Sequence, residues 1–279
     1  MSGDYPIGPL CAALELSPSG YYAWVQARPS ARQQQDALLL VQIQALHAKH
    51  RGRYGAPRIQ HDLAQAGRRH GTKRIARLMK QVGLRGLGPK RFVPCTTQSQ
   101  HAEPLAPNRL AHAPAPAGPN QIWLSDLTYV ATQQGWLYVA VILDLWSRRV
   151  VGWSTSASLH SSLVVAALQM ALRHRQPPRG LLHHSDRGVQ YASAQYRALL
   201  AAADIQPSMS RPANPYDNAA MESFMATYKR ECVGLSAGYP THAQATEDFF
   251  AYVETYYNRH RRHSALGYQS PVDFENQLN

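Results

Sequence analysis

Cysteine is scarce in this 279-residue chain: Cys11, Cys95 and Cys232 are the only three. They lie far apart with no Cys-x-x-Cys pair, so neither a disulfide framework nor a zinc knuckle is expected. Long apolar runs are missing too. The longest, Trp136 to Leu143, spans eight residues, well short of the roughly 20 that a membrane helix needs. Near the N-terminus Asp4 and Glu15 stand where a secretory leader would be apolar. The expectation is therefore a cytoplasmic protein with no membrane partner. Charged residues amount to 16% against 44% hydrophobic, which excludes a wholly disordered chain and leaves material for a sizeable core.

Acidic residues are scarcest in one part of the chain. Residues 1–118 hold 16 Lys and Arg but five Asp and Glu, whereas residues 119–279 hold 13 against 12. An excess of positive charge confined to one half points to a polyanion there, because each neutralised phosphate releases a counterion. A merely solvated basic surface is the alternative. Residues 92–119 separate the halves and carry six of the 19 prolines, so an extended linker is expected. The domain reading is 1–91 helical, 92–119 linker and 120–279 a second domain with a C-terminal helical extension.

In the first half, helices are expected over Ile7–Glu15, Tyr21–Gln26, Gln33–His50 and Thr72–Val82, with Ser17-Pro18-Ser19-Gly20 as a turn and Pro57 opening a further helix. The helix at 72–82 carries Ile75, Leu78, Met79 and Val82 on one stripe, with Lys73, Arg74, Arg77 and Lys80 on the other faces. Helix, glycine-bearing turn and basic amphipathic helix together suit a helix-turn-helix facing DNA. In the second half, Gln121–Val130, Trp136–Leu143 and Arg148–Trp153 are apolar, β-branched and aromatic, and read as an antiparallel meander. Helix 161–175, strand 180–184, helix 193–203, strand 205–209 and helix 217–232 follow. The fold class is α/β, a mixed five-stranded sheet flanked by helices and preceded by an all-α region.

Three acids stand out. Asp126 interrupts the first apolar strand, Asp186 follows the fourth, and Glu222 lies in the last core helix. If the first and fourth strands are neighbours, Asp126 and Asp186 converge, and the helix can carry Glu222 towards them. Converging carboxylates stay ionised only beside cations, and hard oxygen ligands suit Mg²⁺, with Mn²⁺ as substitute. Taken singly, each acid also fits a structural role: a strand-end acid, a turn residue and a helix surface charge.

The spacing, 59 residues between Asp126 and Asp186 and 35 between Asp186 and Glu222, resembles the D,D(35)E signature of retroviral-integrase-like recombinases. More specific phrases flank the acids: Trp123-x-x-Asp126-x-Thr128-Tyr129, His184-Ser185-Asp186-Arg187-Gly188-x-Gln190-Tyr191 and Tyr216-Asp217-Asn218-Ala219-x-x-Glu222-Ser223. With Tyr257-Asn258-x-x-Arg261-x-His263-Ser264-Ala265-Leu266-Gly267-Tyr268, they resemble bacterial insertion-sequence transposases of the OrfB type. Ser17-x-Ser19-Gly20-Tyr21-Tyr22-x-Trp24 and Tyr54-Gly55-x-Pro57-Arg58-Ile59 extend the likeness into the first half.

The resemblance implies an RNase H-like core, Mg²⁺-dependent cleavage and strand transfer on double-stranded DNA at the element's terminal repeats, and Asp126, Asp186 and Glu222 as catalytic metal ligands. It also implies a dimer or larger assembly on DNA, and an OrfA partner or fusion from an upstream frame. Lys229, seven residues after Glu222, matches the basic residue of that superfamily, and Asn218 is expected to join it in holding DNA. Arg259, Arg261 and Arg262 are expected phosphate contacts. No zinc is expected, since His183, His184, His260 and His263 lack thiol partners.

Three other readings stand beside this one. His184-x-x-Arg187 with Tyr216 fits a tyrosine-type recombinase, which would form a covalent phosphotyrosine. A non-catalytic DNA-binding regulator would use the basic half alone. A simple RNase H-like nuclease would not need the helical half.

Overall fold

The computed structural model describes residues 6–88, 104–211 and 218–278. The chain divides into two compact units, Met1–Gly86 and Leu87–Asn279. The first is helical: α1 (Ile7–Ala13), α2 (Pro18–Gln26), α3 (Ala31–Lys49), α4 (Ala56–Gln65) and α5 (Thr72–Gln81).

Local chemistry sets these boundaries. The Ser17-Pro18-Ser19-Gly20 segment, expected as a turn, is the start of α2: the Ser17 hydroxyl accepts the Gly20 N–H and Pro18 occupies the first turn. A capping box opens α3, in which the Ser30 hydroxyl accepts the Gln33 N–H and the Gln33 carbonyl accepts the Ser30 N–H. Pro57 lies in the first turn of α4, as expected. On α5, Ile75, Leu78 and Met79 are buried, and Gly83 follows the helix at φ 71°, a left-handed position that suits glycine. Tyr54 is fully buried and stacks on His50 at 3.8 Å, and the His50 ring bonds Asp62 at 2.8 Å. Gly86 has no room for a side chain, since a Cβ there would lie 2.4 Å from the Gly55 nitrogen.

The second unit holds a five-stranded sheet in the order β3-β2-β1-β4-β5. Its strands are β1 (Ile122–Thr132), β2 (Gly135–Asp144), β3 (Val150–Ser156), β4 (Leu182–Ser185) and β5 (Gln206–Met209). The first three form the expected antiparallel meander, while β4 pairs in parallel with β1 and β5 with β4. Together with the helices this is an RNase H-like mixed sheet.

Alternation along the strands assigns the two faces. Trp123, Ala140, Ile142 and Val151 pack against α6 (Ser161–Arg175) and α8 (Ala194–Ala202), with the short α7 (Val189–Ala192) between β4 and α8. Ile122, Leu124, Val139, Val141 and Leu182 pack on the other face against α9 (Ala219–Glu231) and α10 (His242–Phe250). There α10 runs on into a π-helical stretch, Ala251–Tyr257. Gly152 lets β3 approach α6 closely, because a Cβ would lie 2.4 Å from the Ala167 carbonyl. A last helix, α11 (Pro271–Glu275), follows.

Of the expected linker, residues 92–103 lie outside the described residues. Residues 104–119 run along the second unit rather than hanging free of it. They contain a 3₁₀ turn, Leu110–His112, and the Arg109 and Leu110 N–H groups both donate to the Ser208 hydroxyl. No helix among the described residues is long and apolar enough to cross a membrane.

Candidate active site

The register of β1 and β4 builds the site. Parallel pairing runs from Ile122 opposite Leu182 to Ser125 opposite Ser185, so Asp126 and Asp186 are the next residues on adjacent strands. Parity then decides where they point. Asp126 has the phase of Ile122 and Leu124, and Asp186 that of Leu182, so both belong to the face covered by α9. That helix lies on the sheet through Met221, Phe224, Met225 and Tyr228, which leaves its neighbouring Glu222 at the edge of the packed face and exposed.

The electrostatics follow from this placement. Burial pushes the Asp126 carboxyl up, the charge of Asp186 pushes it further, the Leu127 N–H opposes, and Glu222 adds to the rise, bringing it to about 7. Lys229 pulls the other way. Partial burial of its carboxyl raises Glu222 as well. Asp186 is oriented by its own loop, where Oδ1 accepts the Gly188 N–H at 2.9 Å. Asp126 Oδ1 accepts the Leu127 N–H at 2.8 Å. The three acids are thus in electrostatic contact, yet among the described residues no three acidic, histidine or cysteine side chains form a ready metal-holding group.

Two neighbours of the carboxylates carry no charge and are easily overlooked in a sequence. Tyr191, on α7, is buried and takes a hydrogen bond from the Ser125 hydroxyl at 3.0 Å. Burial and the charges of Asp186, Tyr196 and Asp126 hold its phenol protonated, well above the usual range. It packs on the α6/α8 side of the sheet, where the charges of the two aspartates reach it. The signal for it was its place five residues after Asp186.

The histidines turn out to be structural. His184 is fully buried, with Nδ1 on the Ser208 hydroxyl at 2.8 Å and Nε2 on that of Ser210 at 2.9 Å. His183 is equally enclosed, pairs with the Tyr196 hydroxyl at 3.0 Å, and is held neutral by burial, its value lowered to about 3. A phosphate cannot reach either ring, which removes the His-x-x-Arg site of a tyrosine recombinase. Tyr216 and Asp217 lie outside the described residues.

The expected DNA-contacting residues divide sharply. Lys73 and Lys80 are exposed on α5. Arg74 and Arg77 instead bind Asp36 of α3, Arg74 at 2.6 Å. Lys229 stands with its ammonium 5.0 Å from the centre of the Tyr129 ring. Asn218 is buried just before α9, and its side-chain oxygen finds no hydrogen-bond partner among the described residues. Arg259 is exposed, donating to the Glu254 carbonyl, and Arg262 is half-buried, donating to that of Tyr268.

Arg261 corrects the expectation. It is 4% exposed and makes paired hydrogen bonds of 2.7 and 2.8 Å to Glu231. A guanidinium enclosed in that way holds the fold together rather than meeting a phosphate backbone. Asn258, in the same C-terminal phrase, is structural too. Its amide exchanges two 3.0 Å hydrogen bonds with the Val150 backbone and fastens this segment to the start of β3.

Sheet order and flanking helices define an RNase H-like core, with Asp126 and Asp186 at one end of the β1–β4 pair. Comparisons with known proteins agree. Residues 116–215 and 203–271 match two integrase core domain families, and residues 33–92 match an HTH-like domain family. The chain is 44% identical to the 31 kDa protein of insertion element IS600 from Shigella sonnei, over 95% of this chain and 97% of that protein. It is 42% identical to the transposase of insertion sequence element IS904 from Lactococcus lactis, over 89% and 97% respectively. It is 39% identical to the transposase InsF of insertion sequence IS3A from Escherichia coli, over 98% and 95%. Among solved structures, a chain of the simian T-cell lymphotropic virus intasome is 17% identical, covers 83% of this chain and 73% of its own, and has a TM-score of 0.49. The chain belongs to the family of insertion-sequence transposases, enzymes of the DDE transposase/integrase type.

Proposed function

We propose that Asp126, Asp186 and Glu222 are the catalytic carboxylates of this transposase and that they hold Mg²⁺, with Mn²⁺ able to substitute. The observation that carries this reading is the abutment of Asp126 and Asp186 at the end of the β1–β4 pairing, where burial, with the charge of Asp186 added to it, lifts the Asp126 carboxyl to about 7. Crowded hard oxygen donors with excess negative charge fit a divalent ion, which when bound would activate an attacking hydroxyl and stabilise the leaving oxygen.

In the chemistry proposed, water first attacks a phosphodiester at the element's end, and the P–O bond to the 3′ oxygen breaks to free a 3′-hydroxyl. That hydroxyl then attacks a target phosphate in line, one P–O bond forming as another breaks. No side chain is a nucleophile. Asp186 is fixed by its Gly188 hydrogen bond, Asp126 by that from Leu127, and Lys229 offers a cation two helical turns from Glu222 to a DNA phosphate. Asn218, Arg259 and Arg262 extend the contact. In the helical unit, Lys73 and Lys80 meet the terminal repeat directly, and Arg74 and Arg77 do so on exchanging Asp36 for phosphate. The enzyme works in the cytoplasm as a dimer or larger assembly on DNA, with an upstream OrfA segment as partner.

Strand transfer of pre-nicked DNA from the gene's own flanks, with Mg²⁺ or Mn²⁺, tests this. Joined product is expected from the wild type and not from Asp186→Asn or Glu222→Gln, with DNA binding retained. Equal product from all three would sink the assignment. If nothing joins, repeating with the upstream frame fused separates an incomplete enzyme from a DNA-binding regulator.

A further inference from the structure

The tip of the β1–β2 hairpin carries an arrangement that the carboxylate chemistry does not use. Trp136 is 52% exposed on an otherwise well-packed strand. It stands at 82° to the Tyr129 ring with centroids 4.9 Å apart, and the Lys229 ammonium lies 5.0 Å from the centre of that same ring. Tyr129 pairs with Tyr138 across the hairpin, so Trp136 is its diagonal neighbour, within reach of an aromatic side chain. A cation and an exposed ring therefore both contact Tyr129.

The platform is rigid. The Thr132 hydroxyl donates to the Gly135 carbonyl at 2.7 Å and accepts the Gln134 N–H at 3.1 Å. The Gln133 N–H donates to the Tyr239 carbonyl, and the Gln134 side chain accepts the His242 N–H. Four hydrogen bonds thus brace a two-residue turn beside the exposed indole. An indole held in this way offers a flat face on which a planar group can stack.

Its place in the site says what covers it. By strand alternation Tyr129 and Trp136 belong to the face opposite Asp126, and Lys229 links the two, its ammonium on the Tyr129 ring and its charge acting on Asp126. Tyr129 lies three residues along β1 from Asp126, about 10 Å, and Lys229 lies seven along α9 from Glu222, again about 10 Å. At 3.4 Å per nucleotide that is about three nucleotides from the scissile phosphate. A paired base has both faces stacked inside the duplex and offers nothing to an indole, whereas an unpaired base exposes both. We propose that Trp136, braced by Tyr129, stacks on an unpaired base near the cleaved DNA end while Lys229 meets a phosphate of the same strand. The inference rests on the DNA strand-transfer reading, but its test needs no chemistry.

Binding of the full chain is compared, in EDTA, among a blunt duplex from the element's end, the same duplex with a three-nucleotide overhang, and that overhang made abasic. The wild type should bind the overhang roughly tenfold more tightly than the other two probes. Trp136→Ala should abolish the preference and leave blunt-duplex binding and Tm unchanged, while Trp136→Phe should restore most of it. Asp186→Asn, which removes strand transfer, should keep the preference. A wild type that binds the abasic overhang as tightly as the intact one overturns the proposal, as does a Trp136→Ala variant that keeps the preference. Either result would leave strand transfer standing.

Discussion

Helix α9 carries two glutamates nine residues apart that have opposite fates. Glu231, at its C-terminal end, is 1% exposed and fully partnered, with both oxygens on Arg261 and one also on the Tyr252 hydroxyl at 3.2 Å. Burial alone would lower the Arg261 guanidinium, but the hydrogen bonds and charge of Glu231 raise it beyond its ordinary value, so the guanidinium stays charged. Glu222, in the first turn, is exposed and adds its charge to a pair of aspartates that already repel each other. One glutamate closes the fold and the other leaves an electrostatic deficit open. Identical side chains on one helix thus separate by partner: a carboxylate matched by an internal cation is structural, and one placed among its like is the one we propose as a metal ligand.

Truncating the closed glutamate should have the largest effect. Glu231→Ala leaves a buried guanidinium without its counter-charge, which costs roughly 3–5 kcal/mol, read as a large fall in denaturant midpoint. Replacing Glu231 and Arg261 together with Met and Leu should recover most of that loss. If the single variant melts like wild type, the pair does not hold α9 to the C-terminal segment. The open glutamate should behave inversely. Glu222→Gln is expected to lower strand transfer by about a thousandfold, about 4 kcal/mol of barrier, with stability within about 0.5 kcal/mol of wild type. A variant that keeps its activity would move Glu222 to the structural side of the comparison.

The contrast also marks what the amino-acid order could reveal. Strand parity is a local property, so the phase of Asp126 among Ile122, Leu124 and Val130 carries the site's orientation in the sequence itself. The end of α6 was legible for a local reason as well, since Pro177-Pro178 follows it; the structure adds a capping His160 at its start and a left-handed Gln176 at its end. Long-range partners were not. Nothing near Arg261 marks it as buried, because Glu231 lies 30 residues away and both side chains read as surface charge. Asp36 is 38 residues from Arg74, so the charges of α5 looked wholly available. The α10 helix and its π-helical continuation were legible only as a helical extension, since their aromatic residues at 249, 252 and 257 also suit strands.

A third test acts on the deficit itself. In metal-free protein, Asp126→Asn removes a carboxylate whose folded value is raised to about 7 from an ordinary 3.8. The sign follows from proton counting: the folded state holds this proton more tightly than the unfolded one, so the wild type loses stability as pH rises from about 4 to about 7. The Asn variant should therefore melt higher than wild type above pH 7, by roughly 1–2 kcal/mol, and identically near pH 4. Added Mg²⁺ should close the gap by stabilising the wild type alone. A variant less stable than wild type at pH 8 would mean that Asp126 is partnered, as Glu231 is.

The smallest expected effect concerns the other unit, where Asp36 does for Arg74 and Arg77 what Glu231 does for Arg261, but at the surface. Arg74 and Arg77 hold Asp36 ionised, lowering its carboxyl below the ordinary range, and both arginines keep some exposure. Because water already screens such a pair, phosphate can compete for the guanidinium groups in a way that it cannot for Arg261. Asp36→Asn should accordingly strengthen binding to the terminal repeat a few-fold at low salt. It should also steepen the dependence of log Kd on log salt by about one to two, one for each released arginine that gains a phosphate. An unchanged slope would mean that Arg74 and Arg77 stay on α3 and that Lys73 and Lys80 alone meet the backbone. Their equal and opposite test is Lys80→Gln, which should lower the slope by about one whether or not Asp36 is present.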